Sequence, residues 1–241
     1  MKDFLVISDV HGCFSLLEAA MQDWNPETHK LMFLGDYTDR GPQSLEVIKM
    51  LQQLKLEYPD DVEILMGNHD EMFLDFVQNP QGETSDTFLE HGGIQTLESF
   101  FGEDFTDLKD PEVIRGRVTD RIHLLTFMTH FKPFHEEEHI IFVHAGFYMP
   151  FGEEHFTHRN SWNQYLWMRK VHQQLNTTGK TVVFGHTPVR SLNPKKAPVQ
   201  PYVNEENRYI GVDGGAVFEN GALLAVEVSY EGTMKGYKKY E

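Results

Sequence analysis

Short, largely apolar runs recur along the chain, separated by segments whose hydrophobic positions fall at helical spacing. The runs Phe4–Ile7, Leu31–Leu34, Val62–Met66, Ile140–Val143, Val182–Phe184 and Tyr209–Val212 have the length and content of buried strands. Between the second and third, Val47, Leu51, Leu54 and Tyr58 fall at i, i+4, i+7 and i+11, which marks one face of a helix. Pro42 near its start and Pro59 just past its end bound that helix. Leu17, Ala20, Met21 and Trp24 form a similar stripe after the first run. Residues 70–130 contain no strand-like run and read as helical, a cap or insertion on the sheet. Ala222–Ser229 and Met234–Tyr240 predict a closing hairpin around Tyr230-Glu231-Gly232, and Leu192–Pro201 reads as a surface loop. Strands alternating with helical segments predict an α/β fold, taken here as one domain over residues 1–241.

The residues just after each apolar run carry the chemistry. Ser8-Asp9-Val10-His11-Gly12 comes after the first, and Gly35-Asp36-Tyr37-Thr38-Asp39-Arg40-Gly41 after the second. Gly67-Asn68-His69-Asp70 succeeds the third, His144-Ala145-Gly146 the fourth, and Gly185-His186-Thr187-Pro188 the fifth. Ligands in α/β sheets sit outside the carboxyl ends of the strands, so these side chains are expected to converge. Carboxylate, imidazole and amide together form a mixed oxygen and nitrogen set that suits Mn, Fe or Zn better than a bare calcium cage. The lone cysteine, Cys13, excludes both a thiolate-rich zinc site and an internal disulfide framework.

In this order the motifs resemble those of the metal-dependent phosphoprotein phosphatases, within the calcineurin-like metallophosphoesterases. The resemblance runs from Asp9 to His186, with a family-like Asp213-Gly214-Gly215 turn beyond it. The seven residues Gly35–Gly41, with Asp39-Arg40-Gly41, are its most specific part, and Ser8 departs from the glycine that many members carry. It implies a β-sandwich flanked by helices and two divalent metal ions, Mn²⁺ foremost, with Fe or Zn as alternatives. By the same resemblance Asp9, His11 and Asp36 hold one ion, while Asp36, Asn68, His144 and His186 hold the other, with Asp36 bridging. It further implies direct hydrolysis by water activated between the metals. His69, paired with Asp39, is the general acid for the leaving oxygen, and Arg40 is a fork for the phosphoryl group. Arg169, in Leu166-Trp167-Met168-Arg169, is open to two readings, a phosphate contact or a helix-surface arginine.

Charge narrows the partners. With 21 Lys and Arg against 37 Asp and Glu, the formal net charge of −16 argues against nucleic acid or an anionic membrane as partner. No apolar run approaches the roughly 20 residues of a membrane span, and an acidic chain with one cysteine suits the cytoplasm. Several motifs carry no function in this reading. Six residues after Cys13 stands Ala19, so there is no cysteine-phosphatase loop. Gly179-Lys180-Thr181 lacks the first glycine of a P-loop and precedes a strand. His91-Gly92-Gly93 is no dinucleotide fingerprint but resembles a Gly-Gly turn of bacterial phosphatases, which implies a loop near the site; His135, His139, His155 and His158 read as surface residues, and Glu136-Glu137-Glu138 as a solvated turn.

Three functions are compatible with these residues. The first is a serine/threonine protein phosphatase-like enzyme acting on a phosphoprotein or small phosphorylated substrate. The second is a symmetrical dinucleoside tetraphosphatase. The third is a metal-binding interaction scaffold without catalysis. Asp39 favours the first, because a serine alkoxide needs a general acid more than a nucleoside diphosphate does.

Overall fold

The computed structural model describes residues 1–102, 110–149 and 162–241. Two five-stranded sheets are stacked face to face, with helices outside them. The first sheet has β1 (Asp3–Ile7), β2 (His29–Phe33) and β3 (Val62–Ile64) in parallel, with β9 (Leu223–Val228) and β10 (Met234–Tyr240) antiparallel on the other side of β1. The second places β5 (Ile140–Val143), β6 (Thr181–Phe184) and β8 (Tyr209–Gly211) in parallel, edged by antiparallel β4 (Phe134–Glu136) and β7 (Tyr202–Asn204).

Period-two alternation distributes the side chains between layers. Phe4, Val6, Met32, Phe142, Val183, Ile210 and Val226 meet between the sheets, where the Phe4 and Phe142 rings lie 5.0 Å apart. Ile7, Leu31 and Phe33 point the other way, onto the helices. Those helices are α1 (Phe14–Met21), α2 (Ser44–Glu57), α3 (Asn68–Gln78), α4 (Ser85–Phe88), α5 (Ile94–Phe101), α6 (Pro111–Val118) and α7 (Ile122–Met128). Val47 and Leu51 of the predicted stripe are buried, and Leu54 and Tyr58 pack half-buried against them. On the outer face of the second sheet, Val143 and Phe184 pack with Phe147 and with Tyr165 of α8 (Asn163–Trp167).

The predicted runs appear as strands, with small differences at their ends. Val62–Met66 stops as a strand at Ile64, and Leu65 continues only as a bridge to Lys132. Trp24 lies beyond α1, where its indole donates to the His29 carbonyl. The acidic run Glu136–Glu138 is paired: Lys180 binds Glu136, Lys30 binds Glu137 and the Tyr230 hydroxyl donates to Glu138. Among the described residues, no helix is long and apolar enough to cross a membrane.

Candidate active site

The loops after β1, β2, β3, β5 and β6 bring their polar residues together at one end of the sandwich. Close backbone approach makes this possible. A Cβ on Gly67 would stand 2.1 Å from the Asp36 nitrogen and 2.2 Å from Asp36 Oδ1, so the loops after β2 and β3 touch only because Gly67 has none. Asp9, His11, Asp36, Asp39, Arg40 and His186 all adopt left-handed backbone conformations, with φ between 45° and 71°. Such conformations are costly for residues with a Cβ and persist where the surrounding structure imposes them. Asp70 locks the crossing: its carboxylate accepts from the backbone N–H groups of Asp36, Tyr37, Thr38 and Gly67.

The result is a cleft of about 60 Å³ lined by Asp9, His11, Asp36, Arg40, His69, Arg169, His186, Pro188, Asp213 and Phe218. Asn68, His144 and Asp39 lie behind this lining, fully or almost fully buried. A larger hollow of about 450 Å³, beside Thr181 and Arg208, lies at the opposite strand ends, away from this convergence.

Asp36 stands at the centre. Its Oδ1 accepts the His69 N–H in the first turn of α3 at 3.0 Å, while Oδ2 lies 3.6 Å from His11 Nε2 and 3.4 Å from His144 Nε2. Two groups of donor atoms, His11–Asp36–His69 and Asp36–His144–His186, each fall within 4.8 Å, and Asp36 belongs to both. Backbone carbonyls fix the rings: His11 Nδ1 bonds to Thr38 O at 2.8 Å and His144 Nδ1 to Leu34 O at 2.9 Å, which turns each Nε2 inward. Asn68 Oδ1 lies 3.0 Å from His144 Nε2. Asp9 Oδ2 accepts from Ser8 Oγ at 2.5 Å and from the His186 N–H at 3.0 Å.

The electrostatics are those of a site crowded with buried donors. Burial opposes ionisation of Asp36, but His144, His69 and His11 hold its carboxyl well below the usual range. Burial also works against an imidazolium at His144, yet Asp36 outweighs it and pushes His144 up to about 9. Burial and the neighbouring His144 push His186 down to about 2, and its buried Nε2 has no hydrogen-bond partner among the described residues. Burial raises Asp9 and, together with the charge of Asp9, lifts Asp213 well above the carboxylate range. An orphaned imidazole nitrogen, two inward-turned Nε2 atoms and a carboxylate shared by both groups fit a pair of divalent cations. His11, Asp36, His144 and His186 of the expected ligand set fall in these two groups, Asp9 and Asn68 stand beside them, and His69 joins the first.

His69 is tied to a second set of partners. Its Nδ1 is 2.6 Å from Asp39 Oδ2, and the Thr96 hydroxyl donates to Asp39 Oδ1 at 2.8 Å. Burial pulls the His69 imidazolium down, but Asp36 and Asp39 overcome it and raise its pKa above the ordinary value. Arg40 lies 2.6 Å from His11 Nε2 and 2.8 Å from His69 Nε2, with its own N–H held by the Gly92 carbonyl of the His91-Gly92-Gly93 turn. Arg169 reaches the cleft and donates to the His186 carbonyl at 3.3 Å. Asp213, Thr96 and Phe218 belong to the site without having been singled out as site residues in the sequence; the Asp213-Gly214-Gly215 turn was the available signal for the first. Cys13 lies behind the first loop, where burial pushes its thiol up, and offers no thiolate. His155 and His158 lie outside the described residues.

The sequence pattern of the calcineurin-like phosphoesterases matches residues 2–215 of this chain. A protein phosphatase 2A catalytic subunit of Dictyostelium discoideum is 38% identical over 111 residues, 45% of this chain and 34% of that protein. The matched segments of the first three curated relatives span 16–34% of those proteins' length. Among solved structures, a candidate diadenosine tetraphosphatase superposes with a TM-score of 0.63 at 17% identity, covering 100% of this chain and 94% of that one. A serine/threonine phosphatase from Saccharomyces cerevisiae gives 0.65 at 13%, covering 100% and 80%. At these identities the superpositions establish the fold, a two-sheet sandwich with flanking helices.

Proposed function

Because this chain belongs to the calcineurin-like phosphoesterase family, we propose that it is a phosphoric ester hydrolase, and that its substrates are serine/threonine-type phosphomonoesters. The observation that carries the finer reading is the buried His69–Asp39 pair at 2.6 Å. A carboxylate on Nδ1 keeps a proton available at the far side of the ring, which is what a poor alkoxide leaving group requires.

Asp9, His11 and Asp36 would hold one divalent ion, and Asp36, Asn68, His144 and His186 the second. Bound there, the two ions supply positive charge for the phosphoryl oxygens and lower the pKa of water. Mn²⁺ suits this mixture of carboxylate, imidazole and amide, with Fe or Zn next. The remaining steps belong to the chain. Ser8 and the His186 N–H orient the Asp9 carboxylate, and Asp36 is oriented by the first turn of α3. Arg40 has no carboxylate partner among the described residues, and its two Nη groups, which lie on the His11 and His69 rings, would leave those rings to fork onto a phosphoryl anion. Arg169 lies across the same cleft and adds a second guanidinium. His69 delivers its proton to the departing oxygen, and Asp39 and Thr96 hold the ring for that transfer.

A symmetrical dinucleoside tetraphosphatase is the second reading, drawn from the whole-length likeness to the candidate diadenosine tetraphosphatase. The test compares kcat/KM for a phosphoserine peptide and for diadenosine tetraphosphate under the same Mn²⁺ concentration. The phosphopeptide is expected to be the better substrate. A preference for the dinucleotide of more than about a hundredfold, ~2.7 kcal/mol in transition-state binding, overturns the order. No turnover of either, with any divalent metal, leaves the scaffold.

A further inference from the structure

Phe218 lines the cleft and has two guanidinium groups against its ring. The Arg40 Cζ lies 5.5 Å from its ring centroid and the Arg190 Cζ 4.5 Å. Arg40 belongs to the loop after β2, whereas Arg190 is in the single turn Val189–Ser191 beyond the His186 loop after β6. Both cations therefore attach to the same ring, with their Cζ atoms no more than 10 Å apart; Arg40 lines the cleft, and Arg190 is exposed outside that lining.

A guanidinium laid on an aromatic ring keeps its N–H edges free, since the ring engages the face of the group and not its donors. Arg190 is exposed and, among the described residues, makes no ion pair or hydrogen bond; Glu219, next to Phe218 in the chain, does not pair with it. In a chain with 37 acidic residues against 21 basic ones, Arg190 lies against the cleft residue Phe218 with no carboxylate on it among the described residues, which leaves its donors available to an anion. The net charge of −16 repels a polyanion at long range, so a substrate with two phosphates needs local cations for each.

We propose that Arg190, held by the Phe218 ring at the lip of the cleft, binds a second phosphate of the substrate, adjacent to the one hydrolysed. The site then selects substrates that carry two phosphate groups close together. The inference rests on the hydrolase reading above for the position of the first phosphate. The second phosphate has two sources, a neighbouring phosphorylated residue or the next phosphate of an oligophosphate chain.

The experiment measures kcat/KM of the Mn²⁺-loaded protein on three substrates: a singly phosphorylated peptide, the same peptide with a second phosphoserine two residues away, and diadenosine tetraphosphate. For Arg190→Ala, the ratio of two-phosphate to one-phosphate kcat/KM is expected to fall about tenfold, through KM, with Arg190→Lys intermediate. Phe218→Ala should lower the same ratio and Phe218→Tyr restore it. Arg208→Ala, which removes an arginine at the opposite strand ends, should leave the ratio at the wild-type value. The arm that shows the Arg190-dependent loss identifies the source. A ratio unchanged by Arg190→Ala, or lowered equally by Arg208→Ala, overturns the proposal. If the wild-type protein turns over none of the three, the hydrolase reading fails by itself. Calorimetric binding of inorganic pyrophosphate then decides the role of Arg190: weakening of about tenfold in Arg190→Ala supports it, and equal affinity rejects it.

Discussion

Asp39 offers one oxygen to His69 Nδ1 and the other to the Thr96 hydroxyl, and its own N–H donates to that hydroxyl at 2.6 Å. It is therefore a positioning residue whose charge also bears on His69. Burial depresses the His69 imidazolium, and Asp36 and Asp39 together reverse that effect. Replacing Asp39 by Asn removes one of the two opposing charges, so His69 should lose its proton at lower pH. The basic limb of the kcat profile on an alkyl phosphate then moves to lower pH, and turnover at pH 8 falls by about 10²-fold. Metal content should change far less than kcat, in Asp39→Asn and likewise in His69→Asn. Metal analysis with a pH–rate profile checks this; wild-type turnover on a poor leaving group, or an unmoved basic limb, removes His69 as the acid.

At the scale of elements, the site is a set of strand ends held by crossing loops. The crossing of the β2 and β3 loops tolerates no Cβ at Gly67, where an added carbon meets backbone and carboxylate of Asp36 rather than a flexible side chain. Gly67→Ala should displace Asp36 and the start of α3 together. The expected loss is about 1–3 kcal/mol, or a Tm lower by about 3–10 °C, with Mn²⁺ affinity reduced at least about tenfold by calorimetry. Wild-type affinity in this variant would mean that the crossing does not set the positions of Asp36 and Asn68. These elements differ in how legible they were in the sequence. Strands buried on both faces, such as those containing Ile140–Val143 and Val182–Phe184, announce themselves as unbroken apolar runs. The edge strands Phe134–Glu136 and Tyr202–Asn204 escape notice because they are three residues long and only part-buried, so no pattern has room to develop. The strand-end residues are legible because each follows such a run closely, with a glycine beside it or within three residues. Thr96 and Phe218 are not. Each reaches the site from an element far along the chain, and a threonine within a helix or a phenylalanine in a turn has no local pattern that points to a neighbour in space.

For the whole molecule, the cleft joins the two sheets. Asp9, Asp36 and Asn68 come from the first, and His144, His186 and Asp213 from the second. Without cations this end concentrates buried acids, part of the −16. His144 is pushed up to about 9, and Asp9 and Asp213 are also raised. All three bind protons more tightly folded than unfolded. The stability they give is complete below their unfolded values and is lost as pH rises through the folded ones, between about 6.5 and 9 for His144. A bound cation requires His144 deprotonated, so metal affinity should increase over that range, with a proton released on binding. The stabilisation from an ion at about a hundred times its Kd is ~2.7 kcal/mol, or about 5–10 °C in Tm. The gap in Tm between Mn²⁺-saturated and EDTA-treated protein should therefore widen from pH 6.5 to pH 9, because the metal-free protein loses stability while the loaded one is spared that loss. Thermal unfolding across this range, with and without EDTA, measures it. A gap that stays constant or narrows with rising pH would show that His144 is not a group that exchanges its proton for metal.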